Sequence, residues 1–180
     1  MAGREREKEE MTQDSSSFIE RVIQVRRVTK VTKGGKRFSF SALVVYGNQN
    51  GKIGIALGKS REVSSAIAKA TVKARKDRIK ISLRGGTIPY NVLGKHGAST
   101  VMLCSASKGT GVIAGGSVRA VMEALGIKDV LAKSLGASCS QNVVKATLNA
   151  LSKLRSLQHI ANLRGKTTEE IIKGKDVAAQ

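Results

Sequence analysis

Between Phe18 and Arg84 the chain carries 17 Lys and Arg against three acids, Glu20, Glu62 and Asp77, a local net charge of +14. The same stretch still has the apolar patterning of a folded segment. Like charges at this density oppose a compact state unless a polyanion offsets them. The whole chain of 180 residues has 32 basic and 13 acidic side chains, net +19, where ordinary small domains carry roughly 2–8 charges of either sign. Nucleic acid is the natural polyanion, because Lys and Arg neutralise its phosphates and release counterions. The bland alternative is a solvated basic face.

Hydrophobic residues make up 41% of the chain, enough for a core, and 180 residues leave room for one domain or two small ones. Aromatic residues make up only 3%, with no Trp. A protein that stacks single-stranded bases on aromatic platforms needs more, so the composition favours helical RNA or DNA read through backbone and shape. An architectural DNA binder would carry an apolar wedge or a groove-reading helix, and neither stands out. Cys104 and Cys139 lack the paired spacing of a zinc site and read as small buried apolar residues in a reducing cytoplasm. His96 and His159 belong to no ligand or triad pattern and read as surface or RNA-facing residues. No catalytic residue, metal site, cofactor or small-molecule substrate is expected. No run approaches the ~20 apolar residues of a membrane helix. The first 17 residues hold five acids and fit neither a secretory signal nor a transit peptide; residues 1–17 read as a flexible charged arm.

Along the chain, a strand is expected over residues 21–31, then a turn at Thr32-Lys33-Gly34-Gly35-Lys36 in which both glycines supply positive φ. Residues 37–46 form a second strand and 52–57 a third, joined by the hairpin loop 47–51. A helix follows with Glu62 in its first turn. Its residues Val63, Ala66, Ile67, Ala70 and Ala74 face the sheet, and Lys69, Lys73 and Lys76 lie on another face with Arg75 and Arg78. Composition then shifts: residues 85–155 hold eight basic and two acidic side chains, net +6. Strands are expected at 80–83, 87–93, 100–105 and 129–135, with residues 94–97 as a loop, and helices at 116–125 and 142–154. Strands followed by helix–strand–helix make an α+β pattern. Thr167-Thr168-Glu169-Glu170 resembles a helix start, and the last residues read as mobile.

Two glycine-rich stretches invite a nucleotide-binding reading. Residues 54–60, GIALGKS, are one residue short of a phosphate loop, and the first glycine falls in an expected strand. Gly109-Thr110-Gly111-Val112-Ile113-Ala114-Gly115-Gly116 lies between a strand and a helix, but its spacing is not the dinucleotide fingerprint and no ribose-binding acid ends a strand about 20 residues on. Its N–H groups could serve an RNA phosphate, a neighbouring protein or simply the turn itself.

Several of these segments are similar to one known family. Arg27-Val28-Thr29-Lys30-Val31-Thr32-Lys33-Gly34-Gly35-Lys36-Arg37-Phe38-Ser39-Phe40 resembles the signature of bacterial small-subunit ribosomal protein S-five. So do Gly47 through Gly58-Lys59, Glu62-Val63 with its Ala-rich helix, and the Gly109 to Gly116 run with Arg119-Ala120-Val121. The likeness continues through Asn142-Val143-Val144-Lys145-Ala146-Thr147, then Arg164-Gly165-Lys166 and Glu169-Glu170-Ile171.

The resemblance implies a double-stranded-RNA-binding-like domain of three antiparallel strands and one helix at residues 18–81. A C-terminal α+β domain with a sheet backed by two helices follows at 82–156, and a tail with short helices at 157–180. It implies a cytoplasmic, ribosomal, non-enzymatic protein that binds small-subunit rRNA, touches ribosomal proteins S-four and S-eight, and serves assembly, decoding accuracy and the messenger RNA entry path. Joined to the charge pattern, it marks Arg26, Arg27, Thr29, Lys30, Thr32, Lys33, Gly34, Gly35, Lys36, Arg37, Lys59, Lys69, Lys73 and Lys76 as RNA-facing. It marks Gly109, Gly111 and Arg119 as a protein interface.

Overall fold

The computed structural model describes residues 18–173, which form eight strands and five helices. The first sheet joins β1 (Ile19–Thr32), β2 (Gly35–Gly47), β3 (Lys52–Ser60) and β4 (Arg78–Lys80) in the order β1-β2-β3-β4, all antiparallel, with α1 (Val63–Lys76) between β3 and β4. The expected three-strand meander is thus present and gains a short edge strand. That strand sits earlier than the expected 80–83, because the chain leaves α1 at Asp77 and pairs at once with the open edge of β3.

The second half of β2, from Ser41 to Gly47, is buried without interruption, since this sheet is covered on both faces. Alternation along the strand divides its side chains. Ala42 and Val44 pack on Ala66 and Ala70 of α1, while Leu43 and Val45 enter the main core. Glycines in β3 let α1 approach. A Cβ on Gly54 would lie 1.9 Å from the Ala74 carbonyl oxygen, and one on Gly58 would lie 2.1 Å from that of Ala66. Glu62 caps α1 instead of lying in its first turn, and Val63 is exposed. Lys73, Arg75 and Lys76 in the last turn suit the negative end of the helix dipole.

The second sheet runs β5 (Val92–His96), β6 (Ser99–Ser105), β8 (Val130–Gly136), β7 (Val112–Ile113), and only β7–β8 is parallel. That parallel pair is bridged by α2 (Gly116–Leu125), as a parallel connection requires a crossover. α3 (Ser140–Ser152) covers β5 and β6. The strand expected at 87–93 is displaced to Val92–His96, and Thr87 makes only an isolated bridge to Arg84. Pro89 keeps this stretch out of the ladder, since proline has no N–H to donate to it. Gly94, Lys95 and His96 lie inside β5, not in a loop. Gly94 faces α3, where a Cβ would sit 2.2 Å from the Ala146 carbonyl oxygen. Cys104 and Cys139 are half-buried free thiols, not fully buried residues, and Cys139 is the N-cap of α3.

One core serves both halves. Leu43, Val45 and Ile53 of the first sheet join Val101, Leu103, Val118, Met122, Leu125, Val144 and Leu151 of the second layer. The β2–β3 turn also closes the end of α2: Gln49 N–H donates to the Ala124 carbonyl at 3.1 Å and Gly51 N–H to that of Leu125 at 3.2 Å. Those carbonyls have no partner within their own helix. Beyond this body, α4 (Leu157–Arg164) is capped by the Ser156 hydroxyl. α5 (Thr168–Lys173) starts on a reciprocal capping box in which Thr167 Oγ1 accepts from Glu170 N–H and Glu170 Oε2 from Thr167 N–H, both at 3.3 Å. The arm expected at 1–17 and the last seven residues lie outside the described residues.

Gly54→Ala is expected to lower stability by about 2 kcal/mol or more, the scale of overpacking against backbone, measured by urea unfolding. Gly34→Ala, where a Cβ meets nothing within 4 Å, is expected to stay within about 0.5 kcal/mol. Equal effects at both positions would reject the close-packing account.

Candidate nucleic-acid interface

The β1–β2 hairpin outruns the rest of its sheet. β3 pairs with β2 only as far as Phe40 opposite Ser60, so residues 28–39 continue as a two-stranded ribbon. Five further residue pairs carry its tip about 16 Å past that point, at ~3.3 Å per residue. The turn is Lys33-Gly34, and of the two tip glycines only Gly35 takes a positive φ, +132°. Thr32 Oγ1 donates to the Gly35 carbonyl at 3.1 Å and closes the turn.

Register decides which cations meet. Arg26 lies opposite Ser41, which lies opposite Lys59, and Lys30 lies opposite Arg37. All four cations therefore share the face that carries Leu43 and Val45 nearer the body. The other face pairs Arg27 with Phe40, Thr29 with Phe38 and Val31 with Lys36, and the Arg27 guanidinium lies 4.9 Å over the Phe38 ring. The ribbon exposes Val28, Phe38 and Val31, the last at 70%. Lysine facing arginine across a pair is unfavourable, and nothing on the ribbon neutralises it.

Lys69, Lys73 and Lys76 stand on α1 beside a shallow apolar groove of about 410 Å³ formed with Ala68 and Val72. They lead away from the ribbon, since Ala66 packs near its root at Gly58 and Ala74 at the opposite end on Gly54. The expected RNA-facing residues thus fall on three surfaces: two faces of the ribbon and the outside of α1. Arg75 lies 5.0 Å over the Tyr46 ring, Arg78 lies 5.7 Å over Phe18, and the two rings stack at 4.9 Å. This layered group of two cations and two rings escaped sequence reading, because Phe18 and Tyr46 meet only through strand pairing.

The glycine stretches behave differently from nucleotide loops. Residues 54–60 lie in β3, so their N–H groups serve strand pairing and helix contact. In the second stretch, Gly109 N–H and Gly111 N–H donate to Asp129 Oδ1 at 3.0 and 2.9 Å. The arc that could hold a phosphate is filled by the chain's own carboxylate. Spacing alone does not mark Asp129 for this role, because the residue precedes β8 and meets the two glycines only through the fold. Arg119 Nε donates to Glu123 Oε1 at 3.0 Å, and Glu123 also pairs with Arg21 of β1 at 3.4 Å. Among the described residues no three His, Cys, Asp or Glu come together to hold a metal, and no helix is long and apolar enough to cross a membrane.

The second sheet presents a further surface that the pattern alone did not reveal. Leu93 and Met102 share a row with Lys133, and Leu131 sits between Cys104 and Ile113. Leu93, Met102, Ile113, Leu131 and Leu135 are all 40–55% exposed. Exposed apolar patches are a common form of interaction surface.

Two family models match in chain order: "Ribosomal protein S5, N-terminal domain" over residues 18–82 and "Ribosomal protein S5, C-terminal domain" over 94–164. The fold is the α+β class of that ribosomal protein, which is not an enzyme. The chain is 55% identical over 159 residues to "Small ribosomal subunit protein uS5" of Lawsonia intracellularis, covering 88% of this chain and 98% of that one. It is 53% identical over 156 residues to the protein of that name from Pelagibacter ubique, covering 86% and 92%. The chain belongs to the ribosomal protein S5 family.

Raising NaCl from 0.1 to 1 M shortens the screening length from about 10 to about 3 Å. The melting temperature of the free chain is expected to rise, and to rise less in Lys30→Gln/Arg37→Gln. Equal salt responses would show that this pair carries no repulsion.

Proposed function

We propose that this structural constituent of the small ribosomal subunit binds small-subunit rRNA through the β1–β2 ribbon and the outside of α1. The observation that carries this reading is the ribbon itself, a two-stranded arm clear of its sheet with like-charged residues facing each other. An isolated hairpin is marginal in water, and RNA phosphates supply both support and countercharge. Arg26, Lys30, Arg37 and Lys59 serve one groove edge, Arg27, Thr29 and Lys36 the other. Thr32, Lys33, Gly34 and Gly35 form the tip, where open space around both glycines permits backbone approach. Lys69, Lys73 and Lys76 extend the contact along α1. RNA helices are read mostly through phosphates and 2′-OH groups, which suits a surface with so few aromatic residues.

Residues 18–81 act as the double-stranded-RNA-binding-like unit, and 82–156 as the α+β unit that meets proteins. The Gly109, Gly111 and Arg119 segment contacts ribosomal protein S-four, and the second half also touches ribosomal protein S-eight. Through these contacts the cytoplasmic protein supports subunit assembly, decoding accuracy and the messenger RNA entry path. The exposed apolar sheet face supports the protein-contact part of this reading.

In fractionated ribosomes the chain is expected to co-migrate with small subunits at high salt and to crosslink to rRNA at residues 26–37. Lys30→Gln/Arg37→Gln is expected to weaken rRNA binding and to cut the salt slope of log K by about 1–2, at ~0.7–0.9 per lost phosphate contact, without lowering the free protein's melting temperature. Lys33→Glu/Lys36→Glu should weaken binding further; an unchanged affinity in both variants would reject the ribbon as the RNA surface. Arg119→Ala is expected to change miscoding more than rRNA affinity, read with a stop-codon reporter in cells carrying only the variant.

A further inference from the structure

Asp129 stands immediately before β8, is 8% exposed, and joins three separate segments. Its Oδ1 accepts from Gly109 N–H and Gly111 N–H. Its own N–H donates to the Gly86 carbonyl at 3.1 Å, beside Lys128 N–H on the same oxygen at 2.8 Å. The neighbouring Val130 N–H donates to the Gly111 carbonyl at 3.1 Å. Within the loop, Thr110 N–H and Thr110 Oγ1 also donate to the Ser107 carbonyl at 3.2 and 2.8 Å. Gly109 and Gly111 sit at φ +94° and +78°, and a Cβ on either would meet nothing within 4 Å, so side-chain packing does not fix their position. Directly after Gly111 come the two residues of β7, then Ala114 and Gly115, the N-cap of α2, which has no side-chain cap. Arg119 N–H donates to the Gly115 carbonyl at 2.8 Å. The loop thus leads within a few residues into the first turn of α2, whose inner face is held separately by burial of Val118, Val121 and Met122.

We propose that Asp129 is the positioning residue of the Gly109–Gly111 loop, the part of this surface that leads through β7 to the first turn of α2 and Arg119. The inference rests on the reading of this segment as a protein-contact surface. A carboxylate accepting two N–H groups on one oxygen holds them more strongly than a neutral acceptor, and burial keeps water from replacing it. The loop is thereby set in advance of any partner, which lowers the ordering cost of docking.

The test compares Asp129→Ala with Asp129→Asn in the full chain. The Asn side-chain oxygen can accept the same two bonds and Ala cannot. In Asp129→Ala the Gly109 and Gly111 amides are expected to exchange with deuterium about tenfold or more faster than in the wild type, as follows from losing a charged acceptor, with Asp129→Asn, which keeps a neutral acceptor, between the two. Wild-type exchange in Asp129→Ala overturns the proposal. In cells carrying only the variant, Asp129→Ala is expected to shift miscoding in the same direction as Arg119→Ala at normal subunit yield. Fast exchange with wild-type miscoding would support the positioning role and reject the contact-surface reading instead. Should Asp129→Ala not fold, Asp129→Glu keeps the charge and displaces the carboxylate by one methylene. The Gly109 and Gly111 amide resonances are then expected to move more than those of the core strands, and unmoved resonances overturn the proposal.

Discussion

Backbone-to-backbone contact between glycine-bearing strands and alanine-bearing helices is the constraint on which the structure turns. Gly54 and Gly58 receive α1, Gly94 receives α3, and Gly47 receives the last turn of α2, where a Cβ would lie 2.1 Å from the Ala124 carbonyl oxygen. In α1 this means that alanines take the closest positions: Ala66, Ala70 and Ala74 are wholly buried, with Thr71 and Ile67 beside them. A helix whose closest contacts are made by small residues leaves its outer positions free for lysine. The close contact and the basic exterior of α1 are two consequences of one arrangement.

The same packing separates charge from core. Both faces of the first sheet are covered over the second half of β2, so a cation there would lose its water. Lys36 and Arg37, the charged residues of β2, instead lie where the cover ends, on the ribbon beyond Phe40 with Lys30 of β1, and Arg26 and Arg27 stand at its root. What remains is a body held by apolar contact and an arm whose own charges oppose it. The seam between the halves is the counterpart of this arm: backbone groups of the β2–β3 turn close the end of α2, and Gln49 adopts φ +56° to do so. Two sheets with different partners, one meeting RNA and one meeting proteins in our reading, are thereby mechanically joined.

Glycine-rich stretches deserve their meaning from context. The GIALGKS run has the residue types of a phosphate loop, yet as a strand its glycines make room for a helix. The Gly109 to Gly111 arc has the backbone shape of an anion site, and its anion is Asp129. Neither distinction can be drawn from spacing alone, because both depend on which distant element comes to lie against the glycine.

Local features were legible in the chain itself. The Gly34-Gly35 turn, the β2 strand, the alanine stripe of α1 and the capping box at Thr167 each depend on residues a few positions apart, and each is where its pattern placed it. The charge excess between Phe18 and Arg84 likewise belongs to the sequence and points to a polyanion before any fold is known. Tertiary structure decided the rest: that Gly94 belongs to a strand, that Leu93, Met102 and Leu131 share one open face, that Arg26 and Lys59 flank the same serine, and that Asp129 fills the glycine loop. These partners lie many residues apart, and only strand register and helix packing bring them together. Hydrophobic periodicity records which face of an element is buried, but not what buries it.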